Sequence, residues 1–251
     1  MPWALPVADP DILALAKAYP FESPPGSYLF AEGRAAPLGE LGRAAFVGRT
    51  PVIAHGSNRA PAQLLRKFGA AAEIPVTRGW LADFDVVYSA HVTRYGSIAA
   101  DLRHAPGVRA SVSVTWLTET QLARMHETEL GGENYRYGVL EKIDLELEVG
   151  PSGGLREAHV YLSVRGCVAA EGVPVSLAAV EVRGRQVGRG HAALAQAEVQ
   201  EVLRARHRAH EGLDPFILAN VRDAARRHAL IAEMVAQSLA PTAPDFRELL
   251  R

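Results

Sequence analysis

The sequence predicts an α+β fold of antiparallel character, and two observations predict it. Period-two alternation of apolar and polar residues recurs through the middle of the chain, and helical periodicity fills its end. No internal repeat organises the whole. The 251 residues are 48% hydrophobic and 22% charged, which is ordinary for a globular protein with a real core.

The elements follow in order. Asp9-Pro10-Asp11 starts a helix, with Asp9 as cap and Pro10 in the first turn; it runs through Leu13, Leu15 and Ala16 to about Tyr19, where Pro20 stops it. Ser23-Pro24-Pro25-Gly26 is loop, and the stretch to about Arg49 is irregular with one strand at most. Val52-Ile53-Ala54 reads as a short buried strand. It leads into His55-Gly56-Ser57-Asn58 and a helix over about 60–68 whose apolar face is Leu64, Leu65 and Phe68.

Residues 85–90 and 108–116 read as strands. In the second, Val108, Ala110, Val112, Val114 and Trp116 alternate with Arg109, Ser111, Ser113 and Thr115, the pattern of a strand with one wet face. Thr118 caps a helix from Glu119 to about Thr128, with Leu122 and Met125 inward. Residues 135–149 form one long strand or two short ones. After the turn Ser152-Gly153-Gly154 come strands over 159–164 and 173–182. Helices then run over about 192–210 and from Asp214-Pro215 through Ile217, Val221, Ala225, Ile231 and Val235. The proline-rich tail from Ala240 reads as a linker with a short helical end.

Charge and composition exclude several functions. There are 27 basic and 28 acidic side chains, a formal net charge of −1, so bulk electrostatic binding to nucleic acid or an anionic membrane is not expected. A lone cysteine, Cys167, excludes an internal disulfide and a cysteine zinc cluster, and reads as a buried structural thiol. No apolar run approaches the roughly 20 residues of a membrane span. The N-terminus lacks a basic start followed by an apolar stretch, so the expected location is the cytoplasm. Only Lys17, Lys67 and Lys142 are lysines, an arginine bias that fits a GC-rich bacterial genome.

The chemistry concentrates around His55-Gly56-Ser57-Asn58. A glycine there permits a positive φ, so backbone N–H groups can converge, and the following helix adds its positive end. On these residues alone the loop either holds a small carboxylate or supplies a helix cap through Ser57 or Asn58.

Downstream context decides between them. Val52-Ile53-Ala54-His55-Gly56-Ser57-Asn58 resembles the strand and Tyr-Gly-Ser-Asn loop of the gamma-glutamylcyclotransferase family. Tyr95-Gly96-Ser97-Ile98-Ala99-Ala100 resembles that family's glycine-rich segment. Residues 117–129, ending in Thr128-Glu129, are similar to its helix ending in Leu-Asp-x-x-Glu-Gly, and Tyr135-Arg136 follows as the family's Tyr-Arg does. The resemblance covers roughly residues 50–140. It implies a mixed β-barrel with helical N- and C-terminal extensions, divided as 1–49, 50–190 and 191–251.

The resemblance also implies a reaction. A gamma-glutamyl amide or amine compound closes on itself, its α-amine attacking its own γ-carbonyl to release 5-oxoproline. Proximity supplies much of the rate. Glu129 becomes the acid–base residue, with Glu127 next in line. Gly56, Ser57 and Asn58 hold the glutamyl moiety, with His55 beside them. Burial is expected to raise the glutamate's pKa toward the working pH. No metal or organic cofactor is called for, and the partner is a small gamma-glutamyl or other carboxylate-bearing molecule. His55 replaces the family's tyrosine, His126 its aspartate and Leu130 its glycine, all bordering the implied pocket. Those replacements keep two alternatives in view: a non-catalytic binder of small carboxylates or an interaction protein on the same fold, and a catalyst of a different amide reaction.

The remaining features have plain readings. His207 and His210, three apart, fall on a solvated helix face. His228 reads as a hydrogen-bonded core histidine. Arg183, Arg185 and Arg189 around Gly184, Gly188 and Gly190 fit neither a P-loop nor a dinucleotide fingerprint and read as a solvated turn. The amphipathic helices at 192–202 and 217–235 pack on the sheet, or else on a second copy as a homodimer.

Overall fold

The structure is a computed structural model and describes residues 4–38, 43–132, 134–151, 154–183 and 192–251. The N-terminal elements are α1 (Asp9–Lys17), β1 (Tyr28–Ala31), β2 (Arg34–Pro37), β3 (Thr50–Ala54) and α2 (Pro61–Phe68). Two long strands follow, β4 (Ile74–Val92) and β5 (Ile98–Leu117), then α3 (Glu119–Glu129). Next come β6 (Tyr135–Leu140), β7 (Leu145–Leu147) and β8 (Ala158–Ser163), and the short pieces β9 (Ala169–Ala170), β10 (Val173–Pro174), β11 (Ser176–Leu177), β12 (Val182–Arg183) and β13 (Ala193–Leu194). The chain ends with α4 (Gln196–His207), α5 (Leu213–Arg222), α6 (Ala224–Ala236) and β14 (Phe246–Leu250).

The expected α+β class holds, with a large mixed sheet and six α-helices among the described residues. Its spine is the antiparallel hairpin β4–β5, 19 and 20 residues long, paired from Val76 opposite Thr115 to Val92 opposite Ile98 with register shifts between Ala82 and Phe84 and between Tyr88 and Val92. The sheet runs β13-β11-β4-β5-β3-β8-β6-β14, with β3–β8 and β11–β13 parallel. Among the described residues this path does not close on itself, so the implied closed barrel is not seen. Among the described residues no helix is long and apolar enough to cross a membrane.

Apolar residues collect on both faces of the spine. The larger core joins Val86, Ala110, Val112 and Val114 to Ala16 of α1, Leu203 of α4, Ile217 of α5 and Ile231 of α6. A smaller core joins Val52, Val76 and Leu117 to Leu64 of α2 and Met125 of α3. The expected wet face of β5 is therefore covered. Ser111, Ser113 and Thr115 are all buried, and Thr115 Oγ1 donates to the Val52 carbonyl at 3.2 Å.

Three further expectations change. The helix expected from Asp214 onward breaks at Asp223, whose carboxylate accepts from the Arg226 N–H at 3.0 Å and so starts α6 afresh. The stretch over 173–182 is a series of two-residue ladders instead of one strand. The C-terminal end is a strand, because β6 offers an edge: β14 pairs with it from Phe246 opposite Leu140 to Leu250 opposite Tyr137. At the tip of the spine, Gly96 takes a φ of +88°, and a Cβ there would lie 2.8 Å from Val221 of α5. Gln200 of α4 donates to the Gly96 and Ala16 carbonyls at 2.9 and 3.2 Å, tying both chain ends to this turn.

Candidate functional site

β3 is buried at its end and delivers His55-Gly56-Ser57-Asn58 to the wall of a cavity of about 650 Å³. Gly56 has a φ of −112°, so a left-handed backbone is not what requires glycine there. Space requires it instead. A Cβ at Gly56 would run into the hydroxyl oxygen of Tyr19, which accepts a hydrogen bond from the Ala100 N–H at 2.8 Å. Ser57-Asn58-Arg59 forms a 3₁₀ turn before α2. Neither Ser57 nor Asn58 caps α2; the Ser57 side chain meets the Tyr95 hydroxyl, and Asn58 reaches across the cavity.

The opposite wall is the end of α3. Thr118 and Gln121 close a capping box that sets the helix in register, and Met125 is its fully buried anchor. Four residues on, one helical turn, Glu129 shares that inward face. Asn58 Nδ2 donates to Glu129 Oε1 at 2.9 Å. Glu127 faces the rim, 64% exposed at its side chain and paired with Arg124 at 2.5 Å. The structure thus brings Asn58 and Glu129 together and leaves Glu127 at the exposed rim of the cavity.

A third group completes the cluster. The buried face of α2 consists of Gln63, Leu64 and Lys67, while Leu65, expected inside, is exposed. Lys67 Nζ donates to Glu129 Oε1 and lies 3.4 Å from Met125 Sδ. Both members of the ion pair are nearly closed to solvent, at 6% and 12% side-chain exposure. Burial by itself would raise the Glu129 pKa. The Lys67 ammonium, its hydrogen bond and that of Asn58 oppose burial, and the net shift is downward. The expected upward shift is therefore reversed by a lysine, and Glu129 is a carboxylate at neutral pH.

His55 lines the same cavity with its Nδ1 buried and without a hydrogen-bond partner. Burial drives its pKa down to about 4, against the Ala100 backbone and Glu129, which raise it. It is a neutral imidazole at neutral pH. Around Glu129 stand the hydroxyls of Tyr19, Tyr95, Tyr135 and Tyr161, all held protonated by burial with the nearby carboxylate adding to it. Arg165, Arg227 and His228 line the cavity too, so α6 contributes to its wall.

The replaced positions sort themselves. His55 lines the cavity. His126 stands behind it, its Nδ1 2.7 Å from the hydroxyl of Tyr161, which does line it. Leu130 packs into the smaller core, and Gly131 and Gly132 form that part of the wall.

Two solved structures are similar to this chain. One is a gamma-glutamyl cyclotransferase, 17% identical over 46% of this chain and 66% of that one, with a TM-score of 0.36. The other is an uncharacterised protein from Homo sapiens, 17% identical over 46% of this chain and 67% of that one, with a TM-score of 0.37. The match thus spans about two thirds of each of those chains. No family model and no curated protein matches the sequence.

Other sequence readings also change. His228 is exposed on α6 and not a core histidine. His210 is exposed as expected, but His207 is buried at its side chain, with Nδ1 2.9 Å from Glu233. Among the described residues no three His, Cys, Asp or Glu side chains are grouped to hold a metal ion. Cys167 is a free, buried thiol. Arg183 stacks on Trp80 at 3.8 Å, and the rest of its glycine loop, 184–190, lies outside the described residues, as do Ser152 and Gly153. Lys67 is a residue of the candidate site to which the sequence alone did not point. The available signal was a lysine three residues after Leu64, on the helix's buried stripe.

Proposed function

We propose that this protein is a cyclotransferase-like enzyme that cleaves a gamma-glutamyl amide or amine and releases 5-oxoproline. One observation carries the reading: a nearly buried glutamate, Glu129, meets the Gly56-Ser57-Asn58 loop in the wall of one cavity, through the 2.9 Å hydrogen bond from Asn58. The loop binds the glutamyl moiety, folded so that its α-nitrogen reaches its own γ-carbonyl carbon. Glu129, ionised, takes a proton from the α-ammonium, and the free amine attacks. The new C–N bond closes the five-membered ring, the old amide C–N bond breaks, and the nitrogen that leaves is protonated. The donors around the cavity steady the charge that develops on the carbonyl oxygen.

A second reading, a non-catalytic binder of small carboxylates, is favoured by a different observation. Lys67 already neutralises Glu129 and makes it a weaker base. One experiment separates them: a panel of gamma-glutamyl amino acids, amines and peptides, glutathione included, assayed for 5-oxoproline by mass spectrometry with wild type and Glu129→Gln. Product from the wild type, lost by at least about 100-fold in the variant, supports the enzyme. Silence across the panel from folded protein, with saturable binding of glutarate, supports the binder.

A further inference from the structure

We infer that Lys67 is a second catalytic residue, the acid that protonates the leaving nitrogen. The inference rests on the cyclotransferase reading above. It starts from an electrostatic oddity. A lysine ammonium is costly to bury, and α2 could have satisfied its core with an apolar residue at this position. Instead Lys67 lines the cavity with Nζ directed at Glu129 Oε1 and, among the described residues, with the soft Met125 sulfur as its other hydrogen-bond partner at 3.4 Å. An ammonium has three protons to give, so beyond the bonds to Glu129 and the Met125 sulfur one donor remains for a bound molecule.

The proton balance of the reaction gives this group work to do. The α-nitrogen begins with three protons and ends, as the lactam N–H, with one. The leaving nitrogen begins as an amide N–H and departs as an ammonium, so two protons must cross the site. A carboxylate that has just taken the first is occupied when the C–N bond has to break. Lys67 gives its proton to the leaving nitrogen as that bond breaks. Glu129 then returns its own proton to Lys67 along their hydrogen bond. Freed, it takes the surplus proton from the ring nitrogen and passes it to the departing amine. Both residues end as they began, and no outside reagent is consumed. Asn58, on the same Glu129 oxygen, holds the carboxylate in place while the lysine bond exchanges.

Leaving-group chemistry tests this. A gamma-glutamyl alkylamide expels a strongly basic amine and needs a proton. Gamma-glutamyl-p-nitroanilide expels a weakly basic one and needs it far less. Turnover of both is measured for wild type, Lys67→Met and Lys67→Arg. Arginine keeps the charge and the pairing with Glu129 but does not surrender a proton at neutral pH. The expected result is a loss of about 100-fold or more on the alkylamide in both variants, against a loss at least tenfold smaller on the anilide. Equal losses on the two substrates, or an arginine variant as active as wild type on the alkylamide, would overturn the role of Lys67 while leaving the cyclotransferase reading intact. Absence of 5-oxoproline from the wild type on both substrates and across the wider gamma-glutamyl panel would overturn both. If Lys67→Met fails to fold, the arginine variant alone decides.

Discussion

Two glutamate–cation pairs lie two residues apart on α3, and they belong to different physical worlds. Glu127 pairs with Arg124 on the rim, where both side chains are substantially exposed. Glu129 pairs with Lys67 against the smaller core, where both are nearly sealed from solvent. The rim pair trades one hydrated state for another and contributes at most about 1 kcal/mol. Desolvation of both charges in the inner pair leaves each dependent on the other, so losing one partner costs about 3–5 kcal/mol. Position on the helix, not residue type, decides which glutamate is withdrawn from solvent.

The largest effect is expected from breaking the inner pair. Lys67→Met should destabilise the protein by about 3–5 kcal/mol near neutral pH, and it should reverse one pH dependence. In the wild type the Glu129 pKa is lowered on folding, so its contribution is present above the ordinary carboxylate value and is lost as pH falls through the folded value. With the ammonium gone, the largest opposition to burial is removed, only the weaker effects of Asn58 and His55 remain, and that pKa rises. The contribution is then present at low pH and lost as pH rises. Thermal denaturation from pH 4 to 8 checks this: the gap between wild type and variant should widen with pH, and a constant gap would contradict it.

His55 comes next. Its folded pKa of about 4 lies below the ordinary 6.5, so neutral His55 contributes fully above about 6.5, and the contribution is lost as pH falls toward 4. The size at pH 4 is on the order of 3 kcal/mol. His55→Asn should flatten the acid side of the stability curve in that window. Gly56→Ala is smaller, about 1–3 kcal/mol, because the added methyl must displace the Tyr19 hydroxyl; a shift in the urea midpoint with an unchanged slope is the expected signature. Smallest is Glu127→Gln, which should move stability by less than about 0.5 kcal/mol and turnover by less than about twofold.

The legible parts of the molecule were those whose reasons are local. Thr118 announces α3, and the strand–glycine–helix run at 52–68 announces the loop, because caps and turns are written in adjacent residues. What stayed hidden depends on distant partners. Lys67 is a helix-surface residue by composition and a core residue by what α3 places beside it. Ser111, Ser113 and Thr115 look wet in isolation and are covered by elements elsewhere in the chain. The segment Phe246–Leu250 has no clear period of its own, and its strand conformation comes from the edge of β6. At 19 and 20 residues, β4 and β5 exceed the usual strand of about 5–6 residues, so their weakly patterned stretches escaped notice.

Self-attack by the substrate at a site run by Glu129, as proposed above, leaves a signature that oxygen labelling reads. A turned-over gamma-glutamyl substrate, incubated with wild type and Glu129→Gln in ¹⁸O-water, is analysed by mass spectrometry. The account predicts unlabelled 5-oxoproline from the wild type, since the lactam oxygen is the original γ-carbonyl oxygen, and at least about a 100-fold loss in the variant. Glutamate carrying one ¹⁸O atom would mean that water, not the α-amine, attacks the carbonyl, and would contradict it.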